Sequence, residues 1–277
     1  MHQFTGFFMH LGISTYSFPW SFGAGDFAPV NPFTYKDLFL AAAKKNIKYV
    51  QFGDNYPLDK LSKEELRNLK IMADDLVIKL QVGTKGLSVL NVTNYISIAN
   101  SINSPFLRIV VDEDNYHPSE EEVTRILKEL IPALQQANVQ LIIENHDRFK
   151  IQTLKRIIEN TDPKWIGICL DTANSLGAGE GIGEVVEILS PYTVNLHIKD
   201  FKIGRVKHKM GFNVMGCIAG EGMLDIPWLL KEVGKYGKCE TATMELWSEP
   251  GQTIELTLEK EIRWADKSID YLKTLVK

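Results

Sequence analysis

Cysteine is scarce in this chain of 277 residues. Three cysteines are present, Cys169, Cys217 and Cys239, and no two of them form a C-x-x-C pair. This number and spacing argue against a disulfide framework and against a zinc knot built from thiols. A reducing compartment is therefore expected, and the predicted location is the cytoplasm.

Long apolar runs and an excess of one charge are also lacking. The apolar runs are far shorter than the roughly 20 residues that a membrane-spanning helix needs, so no membrane association is expected. Residues 1–8 contain no basic segment followed by a long apolar core, and no signal peptide is expected. The net charge of −4 provides no bulk attraction for nucleic acid, and no nucleic-acid partner is expected.

Segments with strand character and segments with helical period alternate eight times along the chain. Apolar runs rich in Val, Ile and Leu predict strands at 9–14, 47–53, 77–82, 106–111, 139–144, 165–171, 193–199 and 240–246. Helical period and capping residues predict helices at 34–45, 62–75, 88–102, 119–137, 150–160, 181–189, 226–236 and 252–275. The pattern is that of an α/β protein with a (β/α)8 TIM barrel, and the lack of a linker predicts one domain over residues 1–277. A doubly wound open sheet is disfavoured, because no G-x-G-x-x-G turn follows the first strand.

Four consecutive predicted strands carry an ionisable side chain at or near their C-terminal end. These are Glu144, Asp171, His197 and Glu245. A single acidic residue at a strand end is usually a helix cap or a solvated loop residue. Four on consecutive strands indicate a shared site, because the C-terminal ends of the strands form the active-site face of a TIM barrel.

Three carboxylates and an imidazole that face one point would repel each other unless a divalent cation lay between them. This ligand set suits Mn²⁺ best, with Mg²⁺, Co²⁺ and Zn²⁺ as further candidates. Such an ion polarises a carbonyl and a neighbouring hydroxyl of a sugar, which lowers the cost of removing a carbon-bound proton. Glu144 and Glu245 would then act as base and acid.

Five short motifs carry a resemblance to a known family. They are Ile143-Glu-Asn-His-Asp147, Leu170-Asp-Thr-Ala-Asn174, Leu196-His-Ile-Lys-Asp-Phe201, Gly220-Glu-Gly-Met-Leu-Asp225 and Met244-Glu-Leu246. Together they resemble the xylose isomerase-like TIM-barrel superfamily, and within it the sugar phosphate isomerase/epimerase group. The resemblance implies that Glu144, Asp171, His197 and Glu245 bind the metal and that the two glutamates shuttle the proton, as in ketose 3-epimerases.

The predicted function is therefore a divalent-metal-dependent isomerase or epimerase. Its substrate would be a small carbohydrate: a sugar, a sugar phosphate or a related keto-polyol. A dehydratase resembling inosose dehydratase or 3-dehydroshikimate dehydratase is the alternative on the same fold. A barrel that binds a sugar without turnover also stays open.

One position departs from the resemblance. Ketose epimerases and the endonuclease IV branch carry a histidine three residues after the aspartate of the strand-six motif, and this chain has Asn174. An amide can hydrogen-bond a substrate hydroxyl, but it is a poor ligand for a second metal. With only six histidines in the chain, a DNA-repair enzyme of the endonuclease IV type is disfavoured.

Three further polar residues are candidates for substrate binding. His146 shares the direction of Glu144, so it contacts substrate, orients the glutamate or is an ordinary loop histidine. Lys199 is expected to contact a substrate oxygen or a phosphate. Arg108 lies inside the fourth strand, where an unpaired charge is costly, so it is expected to pair with Glu144 or Asp112 or to face outward.

Aromatic residues cluster after the first strand and after Glu245. They are Tyr16, Phe18, Trp20, Phe22 and Trp247. They would stack on a sugar ring and exclude water, or they would form ordinary loop packing or a subunit contact. A homo-oligomer is thus left open.

Overall fold

A computed structural model describes residues 9–24, 28–113 and 115–276. Eight parallel strands close into a barrel in the order β1-β10-β7-β6-β5-β4-β3-β2. They are β1 His10–Ser14, β2 Tyr49–Phe52, β3 Lys79–Lys85, β4 Phe106–Val110, β5 Gln140–Glu144, β6 Ile166–Asp171, β7 Thr193–Ile198 and β10 Thr241–Met244. Each predicted strand corresponds to one of these, so the predicted TIM barrel is confirmed.

Helices follow the strands and cover the outside of the barrel. They are α1 Tyr35–Lys44, α2 Lys63–Asp75, α3 Val89–Ser101, α4 Glu120–Ala137, α5 Ile151–Glu159, α6 Ile182–Leu189, α7 Ile226–Gly234 and α8 Ile254–Leu272. The predicted capping box is present at α2, where Ser62 accepts from the N–H of Glu65 and Glu65 accepts from the N–H of Ser62. Within the described ranges, every helix is too short or too polar to cross a bilayer. Residues 1–8, on which the signal-peptide expectation rests, and Lys277 lie outside those ranges.

The two faces of the barrel wall differ in chemistry. Outward-facing residues such as Ile143, Leu170 and Leu196 are fully buried beneath the helices. The inside of the barrel instead contains a hydrogen-bonded polar set, in which Gln81 donates across the lumen to the hydroxyl of Thr241 at 3.0 Å. Buried polar groups of this kind are tolerated only when they bond to each other.

A β-bulge aligns two of the candidate ligands. Ile168 of β6 pairs with Thr193 of β7, but the next residue, Cys169, pairs with Asn195, so β7 carries one extra residue. The shift makes Asp171 and His197 register partners. Since partners in register share a face of the sheet, both side chains point into the barrel.

A β-hairpin that the sequence analysis did not predict follows β7. Strands β8, Phe201–Arg205, and β9, Phe212–Gly216, pair antiparallel outside the barrel. Asp200, at 2% exposure, secures the segments around the hairpin by accepting four backbone N–H groups. Their donors are Phe201 (2.8 Å), Gly220 (2.8 Å), Gly222 (3.0 Å) and Leu224 (3.2 Å).

Replacing Asp200 by Ala should lower the free energy of unfolding by about 3 kcal/mol, because buried N–H groups would lose a charged acceptor. Urea denaturation measures the change. Asp225 is the matched control: it caps α7 through the N–H of Trp228 at 3.0 Å, and its replacement by Ala should cost about 1 kcal/mol. Equal losses in the two variants would contradict the role given to Asp200.

Candidate metal centre

The three strand-end carboxylates all approach one nitrogen of His197. Nδ1 of His197 lies 3.6 Å from Glu144 Oε2, 3.9 Å from Asp171 Oδ2 and 3.4 Å from Glu245 Oε1. None of the four residues is more than 4% exposed. Around His197 the ligand atoms form two groups within 4.8 Å, one of Glu144, Cys169 and His197 and the other of Asp171, His197 and Glu245.

A chain of amides determines which nitrogen of His197 carries the proton. Asn195 Nδ2 donates to the backbone carbonyl of Thr241 at 3.2 Å, which leaves its Oδ1 to accept from Gln51 Nε2 at 3.1 Å. Gln51 Oε1 then lies 2.7 Å from His197 Nε2. Because a carbonyl oxygen can only accept, Nε2 is the protonated nitrogen, and the lone pair of Nδ1 faces the carboxylates.

The geometry fits a divalent cation. Within the described part of the chain, Glu144 Oε2, Asp171 Oδ2 and His197 Nδ1 are buried without a hydrogen bond. The distances of 3.4–3.9 Å from His197 Nδ1 to the oxygens of Glu144, Asp171 and Glu245 are long for hydrogen bonds. They suit two ligands of one ion, whose metal–ligand bonds measure about 2.1 Å.

Two cationic side chains border the cluster. Arg108 Nε lies 2.9 Å from Glu144 Oε2, and its Nη1 lies 3.1 Å from Asp54 Oδ1. Lys199 Nζ lies 2.9 Å from Asp171 Oδ2 and 3.1 Å from Glu245 Oε2. Burial favours the neutral lysine, but the carboxylates outweigh it and raise the pKa of Lys199 well above its usual value.

The charges around the point do not balance within the protein. Four carboxylates, those of Asp54, Glu144, Asp171 and Glu245, face two cations, which leaves two negative charges uncompensated. Burial alone would raise the pKa of Glu245, but the charge that His197 carries when it is protonated, and the charges of Lys199 and Arg108, lower it to about 2. The group is therefore ionised, and one divalent cation would restore neutrality.

The structure decides between the alternatives for Arg108. Its side chain is 2% exposed, faces into the barrel and pairs with Glu144, as one of the alternatives predicted. Asp112 instead accepts two hydrogen bonds from Arg148, both at 2.6 Å. Nothing tests the predicted contact of Arg108 with substrate, which stays a prediction.

The other predicted residues lie at the same site with partners of their own. Asn174 Nδ2 donates to Glu144 Oε1 at 2.8 Å. His146 is exposed and lies on the wall of the central cavity, with its Nδ1 2.6 Å from Asp147 Oδ1. It therefore bonds to the neighbouring carboxylate, and substrate binding by His146 and Asn174 stays a prediction.

Two cavities meet above the cluster. The central one, about 370 Å³, contains Glu144, Asn174, Lys199 and Glu245 in its wall. A second one, about 380 Å³, is lined by Trp20 and Trp247 among others. Tyr16 and Lys199 line both cavities, so the two are neighbours.

The aromatic residues after β1 divide between two roles. Phe18 and Phe22 are buried and pack against Phe33, which is the loop packing foreseen as one alternative. Trp20 and Trp247 instead border the second cavity. The predicted sugar stacking therefore stays a prediction for these two tryptophans and for Tyr16, which lines both cavities.

The loop that carries Trp20 is anchored to α8. Glu261 is fully buried and accepts from the N–H of Trp20 (2.7 Å) and from the N–H (2.9 Å) and hydroxyl (2.5 Å) of Ser21. These bonds favour the ionised acid, but burial outweighs them and raises its pKa to about 6. The carboxyl group of Glu261, which titrates, thus connects the loop that carries Trp20 to α8.

Sequence reasoning missed several supporting residues. Ser14 donates to Glu245 Oε1 at 3.1 Å, Gln51 orients His197, and Asp54 holds Arg108. Ser14 and Gln51 lie on β1 and β2, whose ends carry no ionisable residue. A polar side chain within an apolar strand was the available signal for Gln51.

Comparisons with known proteins place the chain in a family. The chain belongs to the xylose isomerase-like TIM barrel family, whose sequence profile matches residues 39–275. The resemblance inferred from the motifs is thereby confirmed.

Among individual relatives, the chain is 31% identical over 266 residues to a 3-oxo-isoapionate decarboxylase from Pectobacterium atrosepticum, covering 96% of each chain. Two solved structures share the fold. The D-psicose 3-epimerase of Clostridium cellulolyticum H10 with D-tagatose has a TM-score of 0.70, 17% identity, and coverage of 97% of this chain and 100% of that one. A xylose isomerase-like barrel from Mycobacterium smegmatis with magnesium has a TM-score of 0.68, 12% identity, and coverage of 97% and 98%.

Replacing Gln51 by Leu should weaken metal binding about 10- to 100-fold, because His197 would lose the acceptor that sets its tautomer. Competition with a fluorescent chelator for Mn²⁺ measures the dissociation constant. Gln81 is the control, since it is an equally buried amide that bonds to Thr241, and its replacement by Leu should change the constant by less than about threefold. A similar loss in both variants would point to general damage of the lumen.

Protonation of Glu261 should make the folded protein more stable in mild acid than at neutral pH. Its pKa in the folded state, about 6, lies above its ordinary value of 4.5. The folded state therefore keeps this proton longer, and the stabilisation is present below pH 4.5 and is lost as the pH rises through 6. Relative to Glu261→Gln, the wild type should lose about 2 kcal/mol between pH 4.5 and 7 in urea unfolding. The exposed Glu259→Gln control should follow the wild type.

Proposed function

We propose that this protein is a divalent-metal-dependent decarboxylase of a small 3-oxo sugar acid. The observation that carries the proposal is a set of buried atoms without a hydrogen bond, Glu144 Oε2, Asp171 Oδ2 and His197 Nδ1, in which the two oxygens lie 3.6 Å and 3.9 Å from the nitrogen. The choice of reaction is supported by the likeness over 96% of both chains to a 3-oxo-isoapionate decarboxylase.

Decarboxylation of a 3-oxo acid needs an electron sink and one proton for the carbon that loses CO₂. When CO₂ leaves a 3-oxo acid, the C1–C2 bond breaks, its electron pair forms the C2=C3 bond of an enolate, and negative charge collects on the oxygen at C3. A bound divalent cation supplies Lewis acidity for that oxygen. The carbon at C2 then takes one proton, ultimately from water, so the step needs no oxidant and no base.

The side chains of the site match an anionic substrate. Lys199 lies between the two cavities and carries positive charge beside Asp171 and Glu245. Its ammonium group would attract the substrate carboxylate and stabilise the charge that develops on oxygen. Trp20 and Trp247 would limit the access of water to the reacting end.

Isomerisation or epimerisation of a ketose is the second candidate. It is supported by Glu144 and Glu245, which approach the same point from two different strands and would act as acid and base on two faces of an enediolate. A dehydratase would form the same carbanion and expel a hydroxyl. All three reactions would use the same metal ligands. The metal site by itself therefore does not favour one reaction over the others.

The ion and the setting complete the proposal. We infer Mn²⁺ as the native ion from the oxygen-rich ligand set with one imidazole, with Mg²⁺, Co²⁺ and Zn²⁺ as alternatives. Free, buried thiols at Cys169, Cys217 and Cys239 support a reducing cytoplasm.

The protein loaded with Mn²⁺ should release ¹³CO₂ from carboxyl-labelled 3-oxo-isoapionate, as followed by ¹³C NMR. Chelation of the metal should reduce the rate by at least about 100-fold, and added Mn²⁺ should restore it. His197→Ala should show a loss of similar size, since it removes the single imidazole ligand. Cys239→Ser is a control, because this buried thiol lies at the start of β10, at the opposite end of the strand from Glu245.

The same samples in D₂O separate the rival reactions. Ketoses that gain deuterium or change configuration without loss of CO₂ would support the isomerase. Loss of water from an inosose would support the dehydratase. Release of CO₂ at an equal rate without metal would refute the proposal.

A further inference from the structure

The second cavity offers more space than a small sugar acid needs. It measures about 380 Å³, and the central cavity beside it, of about 370 Å³, already contains Glu144 and Glu245 in its wall. Cavities of roughly 300 Å³ and more take small organic ligands. A small sugar acid placed at the candidate metal site would therefore occupy the central cavity and leave the second one empty.

Both tryptophans of the second cavity are fixed in place. Trp20 Nε1 donates to the carbonyl of Ser248 at 2.8 Å, and Trp247 Nε1 donates to the carbonyl of Asp200 at 3.4 Å. The indole of Trp247 lies against Gly216, where a Cβ would lie 2.5 Å from Trp247 Nε1, so only glycine leaves room for the ring. Because both N–H groups bond to the protein, the two indoles present only apolar ring surface to a ligand.

Most other side chains of the wall are apolar too. Val214, from the hairpin, is 42% exposed, and Trp247 is 37% exposed. Apolar surface left open beside a functional site is typical of a surface that binds a ligand. The acidic residue of the wall, Glu249, is exposed to solvent. The remaining apolar residues of the wall are Pro19, Ala24, Met215 and Leu246.

One polar side chain of the wall lacks a partner. The hydroxyl of Tyr16 donates to Asp54, and Lys199 Nζ pairs with Asp171. The hydroxyl of Ser248 is buried, and within the described ranges it forms no hydrogen bond. Since a buried hydroxyl normally has a partner, a polar group of a ligand in this cavity would satisfy Ser248.

This combination of groups suits a flat aromatic ring with one hydroxyl group. Aromatic rings pack favourably against indoles in offset or edge-to-face arrangements. A second sugar ring would bring several hydroxyl groups, and among the buried polar groups of the wall only Ser248 is free to bond to them. Buried hydroxyls without partners are costly, so a sugar fits this wall less well than an aryl ring.

We propose that the second cavity is a binding subsite for an aryl ring with one hydroxyl group, which a substrate would carry beside its sugar unit. The two cavities meet at Tyr16 and Lys199, so one molecule would extend from the metal centre to the indoles of Trp20 and Trp247. The inference deepens the proposed function by extending its substrate class, and it rests on that function only for the sugar unit.

The probe is 4-methylphenol, added to protein that contains 5-fluorotryptophan and is saturated with diamagnetic Mg²⁺. The ¹⁹F resonances of Trp20 and Trp247 are assigned by replacing each residue with Phe. 4-Methylphenol should shift these two resonances with a dissociation constant of about 1 mM or lower. D-Glucose represents a sugar ring and should bind there at least about tenfold more weakly. The other three tryptophans should not respond; they are Trp165, Trp228 and Trp264.

Two variants examine the wall of the subsite. Val214→Trp fills the cavity from the hairpin and should weaken the binding of 4-methylphenol at least about tenfold. Ile203→Trp is the matched control, because Ile203 pairs with Val214 in register, is equally exposed at 42% and lies outside the wall. It should change the dissociation constant by less than about twofold. Ser248→Ala should weaken 4-methylphenol about three- to tenfold and leave the binding of benzene unchanged, since benzene has no hydroxyl.

Several results would overturn the inference. They are equal shifts of all five tryptophans, no shift of any, tighter binding of D-glucose than of 4-methylphenol, and equal losses in Val214→Trp and Ile203→Trp. Tighter binding of D-glucose would make the cavity a site for a second sugar. None of these measurements depends on turnover, so a protein that releases no CO₂ would refute the proposed reaction and leave the aryl subsite to be judged by its own test.

Discussion

Electrostatic repulsion in a buried place is the constraint on which the site depends. Glu144, Asp171 and Glu245 present oxygens to the lone pair of His197 Nδ1 at 3.4–3.9 Å, where little water screens them. Such an arrangement is costly unless positive charge is supplied. Arg108 supplies part of it on one side and Lys199 on the other. With His197 neutral, two negative charges remain uncompensated. One divalent ion would neutralise them.

The polar interior of the barrel also serves the binding of a cation. A neutral imidazole can bind a cation through Nδ1 only if Nε2 keeps its proton, and Gln51 Oε1 accepts the hydrogen bond from that N–H. Gln51 is in turn oriented by Asn195, and Asn195 by a backbone carbonyl. An apolar lumen would pack as densely, but it would leave the tautomer undetermined. The amides inside the barrel thus belong to the chemistry of the site.

The sequence analysis predicted the barrel and the grouping of four strand-end residues because both depend on local pattern. Apolar runs that end in an ionisable residue reveal strand ends, and strand ends meet in a parallel barrel. Three other features depend on pairing between distant segments. The bulge that aligns Asp171 with His197 is a register shift. Asp54 acquires its role only through Arg108, 54 residues away. The hairpin from Phe201 to Gly216 had only a weak alternation of apolar and polar residues to indicate it.

The family and the reaction are specified at different levels of the structure. The ligand set allows any chemistry that places negative charge on an oxygen next to the reacting carbon, and the epimerase and dehydratase predictions used only that set. What distinguishes these reactions is the freedom of the surrounding groups to move protons. In this chain Glu144 is contacted by an amide and a buried arginine, and Glu245 by a hydroxyl and a lysine. Epimerisation needs one proton removed from a face of the reacting carbon and one added on the opposite face, whereas breaking a C–C bond beside a carbonyl needs the electron sink and one proton.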